Sequence, residues 1–269
     1  MPIIPKQDQA AIANHLIEHL AGRVGLEVWT RPESAIVLPD RDPCEHCEDV
    51  VTVARELVSL SSLLSITRYD LEKHADRAAA EGIDRAPTTV MRAHGARLHF
   101  VGYFSGLLFP VFVDSLVLAG AGASPLQTES KLTLAALTSP ITLEVLCAPY
   151  DPLSAYMVRV ASALAVEQHA ITFVATEMSE FPILAGQRSV TQVPTIVING
   201  RRFTGLFSEV ELVEQVRRIA EGNTEPVIRE RTTTSPYFTA EQAREMAAAN
   251  AAAAAPPPAP ASGLFIPGR

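Results

Sequence analysis

Cys44-Glu45-His46-Cys47 is the stretch on which the reading of this chain turns. Two cysteines separated by two residues can close a disulfide when they sit at the first turn of a helix. The following residues read as one, with Val50, Val53, Ala54, Leu57, Val58 and Ser61 at helical spacing and no Gly or Pro between them. Cys44 then lies at the N-terminal end, where unpaired amides and the helix dipole favour a thiolate over a thiol. Pro43, just ahead, suits a chain turning into a helix. A C-x-x-C is weak evidence by itself. Its surroundings strengthen it: Gly25-Leu-Glu-Val-Trp29 reads as a strand ahead, residues 30–43 as a polar loop between, and Ala86-Pro87-Thr88 as the opening of a later strand.

Further out, Gln9 to Leu20 carries Ile12, Leu16 and Leu20 at helical spacing. Ser65 to Asp70 reads as a strand, and Leu71 to Glu81 as a polar helix stopped by Gly82. Thr88 to Arg92 and Arg97 to Val101 flank His94-Gly95 as a hairpin, and a helix starts near Phe109-Pro110. The pattern then returns. Thr142-Leu-Glu-Val-Leu146 repeats Gly25-Leu-Glu-Val-Trp29, and Val193-Pro194-Thr195 repeats Ala86-Pro87-Thr88. Phe203-Thr-Gly205-Leu-Phe207-Ser208 repeats Phe100-Val-Gly102-Tyr-Phe104-Ser105, and the second hairpin turns at Asn199-Gly200. Each copy reads helix, strand, helix, strand, helix, strand, strand, helix. That order predicts an α/β fold with parallel strands joined by helical crossovers and an antiparallel hairpin at one edge.

Composition narrows the function classes. A chain of 269 residues with 48% hydrophobic content has room for about two packed units. A net charge of −8, with no Lys/Arg cluster, argues against a nucleic-acid surface. Three cysteines are too few for a disulfide framework or a Cys-only tetrahedral metal site. The opening MPIIPKQDQA lacks a basic start and a long apolar core, so a cytoplasmic location is expected. In a reducing compartment a C-x-x-C is catalytic or metal-binding more often than structural. Completing a zinc site would take Cys147 or histidines without ligand spacing, so neither a metal nor a cofactor is expected. The remaining histidines read as surface or structurally satisfied residues. Phe100 to Ala121 is apolar at the length of a membrane span, but Pro110, Asp114 and several glycines favour a buried helix between the two units.

The element order, the C-x-x-C after the first strand and the X-Pro-Thr before each hairpin resemble a thioredoxin fold present twice. The tandem arrangement is similar to the glutaredoxin-like protein disulfide oxidoreductases. It is also similar to the N-terminal domain of the alkyl hydroperoxide reductase flavoprotein subunit. The likeness covers about residues 8–222, with Ser179-Glu-Phe-Pro182 and Gln192-Val-Pro-Thr-Ile-Val-Ile-Asn-Gly200 matching especially well. It implies two thioredoxin-like units, 1–124 with the C-x-x-C and 125–222 without it. After Gly222 the composition shifts, and 223–269 reads as a flexible low-complexity tail with an Ala-rich helix, a Pro-rich linker and an apolar terminal peptide. In the second copy the family's Cys-Pro-Tyr-Cys-Pro is replaced by Ala148-Pro149-Tyr150-Asp151-Pro152, with Cys147 one position early. One thiol cannot close a ring, so that unit is expected to be redox-inactive, and Cys147 to be a buried strand residue.

The resemblance assigns the chemistry to the first unit. Cys44 is the attacking thiolate and Cys47 the resolving thiol. His46 favours the thiolate if it is protonated or donates a hydrogen bond, while Glu45, Glu48 and Asp49 oppose it. Pro87 is expected to be cis and to face the disulfide, with Ala86 and Thr88 lining the place of a bound substrate strand. The implied partners are protein disulfides, with a flavoprotein reductase or peroxidase as exchange partner. The alternative is an adaptor that uses the same groove for peptides, which would have no need of Cys47.

Thr239-Ala-Glu-Gln242 reads as a capping box opening an Ala-rich helix to about Ala255, followed by the stiff Pro256-Pro-Pro-Ala-Pro260. Leu264, Phe265 and Ile266 then form a short apolar peptide. It resembles the tethered tags that load cargo into bacterial protein shells, so a shell or scaffold protein is an expected partner; the competing reading is a tail that folds back onto its own domains or onto a second copy.

Overall fold

The computed structural model describes residues 2–32, 42–228 and 233–254. The first repeat runs α1 (Lys6–His19), β1 (Val24–Thr30), α2 (Cys47–Ser59), β2 (Leu64–Asp70), α3 (Ala75–Ala80), β3 (Thr88–Ala93), β4 (Ala96–Val101) and α4 (Leu108–Ala121). The second runs α5 (Thr128–Ala135), β5 (Ile141–Cys147), α6 (Pro152–Glu167), β6 (Ile171–Glu177), α7 (Pro182–Gln187), β7 (Gln192–Val193), β8 (Thr195–Ile198), β9 (Arg201–Thr204) and α8 (Glu209–Ala220). β10 (Ser235–Pro236) and α9 (Ala240–Ala254) follow.

Both repeats build the same four-stranded motif. β1 pairs parallel with β2 and antiparallel with β3, which forms a hairpin with β4. β5, β6, β8 and β9 repeat this arrangement. Each hairpin turns on two residues of positive φ, His94-Gly95 and Asn199-Gly200, the geometry whose twist matches the flanking strands.

The two motifs are not separate sheets. β4 pairs parallel with β6, Phe100 opposite Ala175, giving one eight-stranded sheet ordered β2-β1-β3-β4-β6-β5-β8-β9. Fusion removes two edges that would each present a row of unpaired backbone groups. The outer edge strand β9 carries Arg201 and Arg202, both exposed, which discourages further pairing.

The core crosses the joint. Phe100 is fully buried, with the rings of Phe104, Phe112 and Phe173 packed edge-on at 5.0, 5.0 and 5.7 Å. The membrane-length apolar run resolves into the end of β4, a turn and α4. That helix buries Leu108, Val111, Phe112 and Leu116 and packs against α6 of the second repeat. Its one charged residue, Asp114, meets Arg159 Nη1 at 2.8 Å and His15 Nε2 at 3.3 Å. Among the described residues no helix is long and apolar enough to cross a membrane.

The segment after α8 folds back onto the second repeat. Buried Gln215 accepts from Val227 N at 2.7 Å and donates to Glu225 O at 3.2 Å, folding that stretch back on α8. β10 then pairs antiparallel with β7. The polar composition hid both, because backbone and amide hydrogen bonds rather than an apolar period hold these residues. Leu264, Phe265 and Ile266 lie outside the described residues.

Candidate functional site

Asp42 fixes where the chain enters the site. Its Oδ1 accepts from Ile183 N at 2.8 Å and its Oδ2 from Leu184 N at 3.0 Å, satisfying two free amides at the start of α7. The first repeat's cysteine loop is thereby pinned to the second repeat. Two residues later Cys44 is disulfide-bonded to Cys47, with Cα atoms 5.5 Å apart. α2 begins at Cys47, so Cys44 lies just ahead of the helix rather than within its first turn.

The two sulfurs sit in different surroundings. Cys47 is 4% exposed and shares a buried cluster with Trp29, Leu71, Ala78, Ile83, Ala86 and Val90. Its Sγ accepts from Arg31 N at 3.3 Å. Cys44 is only partly buried at the rim of that cluster. The pair is thus unequal in burial, with Cys47 the more sheltered residue and Cys44 the less.

The acidic residues around the cysteines are largely partnered. His46 Nδ1 lies 2.8 Å from Asp49 Oδ2, and with the carboxylate as acceptor Nδ1 carries the hydrogen. Arg68 donates to both Glu48 oxygens. Two of the three carboxylates expected to oppose a thiolate are thus offset by a neighbouring donor. The His46 ring also stacks on Tyr103, centroids 5.3 Å apart at 30°.

The Ala86–Pro87 peptide is cis, and so is its counterpart Val193–Pro194. Pro87 O accepts from Gly102 N at 2.8 Å, as Pro194 O does from Gly205 N at 3.0 Å. Ala86 packs in the cluster that holds Cys47, which brings the X-Pro turn to the disulfide. Thr88 is 1% exposed and its hydroxyl donates to Arg85 O at 2.8 Å.

Beside His46 lies a cleft of about 340 Å³, lined by Tyr103, Tyr150, Glu177 and Glu180 and bordered by Ala243, Arg244 and Ala247 of α9. Glu177 accepts from Ser179 N at 2.9 Å, from Ser179 Oγ and from Glu180 N at 3.2 Å. Burial outweighs these bonds and pushes its carboxyl up to about 7. Glu180 is pushed up to about 8, first by burial and then by Glu177, although Tyr103 N donates to it at 2.7 Å. Both carboxyls come from the second repeat and neither was found from the sequence. Ser179-Glu-Phe-Pro182 stood out only as a family-like string, and nothing in a strand-ending Glu signals burial.

The second repeat presents Asp151 where the pattern has its second cysteine. Asp151 is 1% exposed and caps α6, accepting from Ser154 N at 2.7 Å and Leu153 N at 3.3 Å. Cys147 is fully buried and donates to Thr176 O at 3.3 Å, with burial pushing its thiol well up. Among the described residues no group of three or more His, Cys, Asp or Glu is placed to hold a metal ion.

No family model matches the sequence, and no curated protein matches it either. Solved structures do share the fold. The alkylhydroperoxide reductase AhpF of Enterococcus faecalis aligns over 79% of this chain and 99% of its own, at 17% identity and a TM-score of 0.68. The NTD_N/C domain of that protein gives 16% identity with the same coverages and a TM-score of 0.67. A protein disulfide oxidoreductase from Aeropyrum pernix aligns over 82% of this chain and 95% of its own, at 23% identity and a TM-score of 0.69. The fold is that of two tandem thioredoxin-like units.

Proposed function

We propose that this protein is a thiol–disulfide oxidoreductase whose working pair is Cys44 and Cys47. The observation that carries the reading is the asymmetry of the disulfide, with Cys44 partly exposed ahead of α2 and Cys47 sheltered in an apolar cluster. In the reduced protein the Cys44 thiolate attacks one sulfur of a substrate disulfide. A mixed disulfide forms and the other substrate sulfur leaves as a thiolate. Cys47, on losing its proton, then attacks Cys44 Sγ, expelling the second substrate thiolate and closing the Cys44–Cys47 bond. Two electrons pass to the substrate, and an external dithiol must return them.

In this reading His46 steadies the Cys44 thiolate, while Tyr103 and Asp49 hold its ring. By the same reading Pro87 flanks the pair, and Ala86 offers backbone groups beside it for an extended substrate strand. Thr88 supports that turn. The substrates are protein disulfides, and the likeness to an alkylhydroperoxide reductase supports a flavoprotein reductase or a peroxidase as exchange partner. Leu264, Phe265 and Ile266 are read from the sequence as a docking peptide for a shell or scaffold protein. Deleting residues 256–269 should abolish co-purification with such a partner and leave disulfide reduction intact.

The test of the central reading is insulin reduction by the dithiothreitol-reduced protein. Wild type should turn over and Cys44→Ser should not. Full activity in Cys44→Ser would overturn the assignment.

A further inference from the structure

The turn of the second repeat that matches Ala86–Pro87 is already occupied. Ser235 lies opposite Val193, the residue before cis Pro194, and Pro236 opposite Gln192, in antiparallel register. Tyr237 N donates to Thr191 O at 3.0 Å, and Leu206 N to Thr233 O at 3.1 Å. Side chains complete the attachment. Ser235 Oγ donates to Asp151 Oδ1 at 2.7 Å, at the position standing in for the second cysteine. The Tyr237 hydroxyl donates to Met178 O at 3.1 Å, and Phe238 N donates to the Tyr150 hydroxyl at 2.6 Å. The Tyr150 and Phe238 rings lie 5.7 Å apart.

This is peptide recognition by strand addition, with main-chain bonds giving attachment and alternate side chains giving selectivity. Thr239 and Gln242 then cap α9 reciprocally, Thr239 N reaching Gln242 Oε1 at 3.0 Å and Gln242 N reaching Thr239 Oγ1 at 3.3 Å. The strand therefore aims α9, whose Ala243, Arg244 and Ala247 border the cleft opposite His46, Tyr103, Glu177 and Glu180.

We propose that the second unit, lacking a dithiol, is a peptide receptor loaded in cis by residues 233–238. This bound segment is the latch that holds α9 over the cleft beside His46. The ligand class is an extended peptide with a hydroxyl residue opposite Val193, then Pro and two aromatic residues. The importance of cleft opening for turnover rests on the oxidoreductase reading, whereas the docking does not.

The test uses the full chain with Ser235→Ala and Tyr237→Ala combined, and a fluorescent peptide of residues 233–238 as the probe. In wild type the tethered segment competes at an effective concentration of order millimolar, so the free peptide should bind the double variant about tenfold or more tightly than wild type. Amides 237 and 238 should be protected from hydrogen exchange in wild type and lose protection in the variant. The reduced proteins are then alkylated at Cys44, with mass spectrometry locating the adduct. The ratio of the rate with a polymer-linked maleimide to that with iodoacetamide should rise at least threefold when the latch is released. Phe238→Ala, which removes only a ring contact with Tyr150, serves as the milder variant if the double one misfolds. Equal peptide binding by wild type and variants would overturn the receptor. An unchanged alkylation ratio in a variant that has lost amide protection would overturn the latch. Loss of the oxidoreductase reading would show separately, as wild type unable to reduce insulin.

Discussion

Asp42 Oδ1 accepts the Ile183 amide hydrogen at 2.8 Å, joining the residue two positions before the first cysteine to the second repeat's α7. The same carboxylate takes Leu184 N through its other oxygen, and the residue is 8% exposed. A two-oxygen cap of this kind holds the cysteine loop by the second unit, so a unit without its own dithiol still shapes the one that has it.

Asp42→Ala should therefore cost about 0.5–2 kcal/mol, the usual range for a lost helix cap, with Ile183 and Leu184 amides left without acceptors. For a fold of this size that is a fall in Tm of about 2–4 °C per kcal/mol, read by thermal denaturation. Asn, which keeps one acceptor oxygen, should recover part of the loss. No change in Asp42→Ala would mean that the cap is not retained in solution.

Cys47→Ser should accumulate mixed disulfides between Cys44 and its substrates, because the resolving thiol is missing. Non-reducing gels with mass spectrometry would show them. Cys147→Ser should keep most activity, since that thiol is fully buried and raised well out of the reactive range. Adduct formation at Cys147 rather than Cys44 would contradict the proposed roles.

The pH dependence of stability reports on Glu177 together with Glu180, whose carboxyl is raised in part by it. Its carboxyl titrates near 7 in the fold, against an ordinary value of 4.5. Below about 4.5 both folded and unfolded chains hold the proton. Between 4.5 and 7 the unfolded chain has released it while the folded one retains it, so stability falls as pH rises across that window. Above about 7 the penalty is complete. Glu177→Gln removes it, so the variant's Tm relative to wild type should climb between pH 5 and pH 8. A fixed offset from the altered Ser179 bonds is expected at both ends. A pH-independent difference would show that the carboxyl is not held protonated.

How much of this was legible in the sequence follows from which forces leave a pattern. Thr142-Leu-Glu-Val-Leu146 repeats Gly25-Leu-Glu-Val-Trp29 because the same strand recurs in each copy, so the two repeats and the order of their elements could be read directly. The Asn199-Gly200 turn and the paired X-Pro-Thr strings were visible because local backbone geometry restricts residue type. The pairing of β4 with β6 left no local trace, because a buried edge joined to another strand looks like any buried strand. Glu177 and Glu180 were silent too, since burial of a carboxyl is decided by what folds over it. Of the segment after Gly222, the helix start at Thr239 was found through its cap, while the Ser235-Pro236 strand was not, two residues being too short for a period.

The joint between the repeats makes the last prediction. Phe100 belongs to β4 of the first unit, yet it is covered by Phe104 and Phe112 on one side of the joint and by Phe173 of β6 on the other. β4 and β6 are neighbours in one sheet, and α4 packs on α6, so neither unit has a closed core without its partner. Truncating Phe100 to Ala should remove about 3–5 kcal/mol, the range for a fully buried ring. Because the cavity would be shared, the loss should lower one cooperative transition rather than melt one half ahead of the other. Differential scanning calorimetry, with tryptophan fluorescence from Trp29 reporting on the first unit and far-ultraviolet dichroism on both, would settle it. Coincident midpoints in wild type and Phe100→Ala support a single cooperative core. If the Trp29 signal in Phe100→Ala melts well below the dichroism, the two units are energetically separate despite their common sheet.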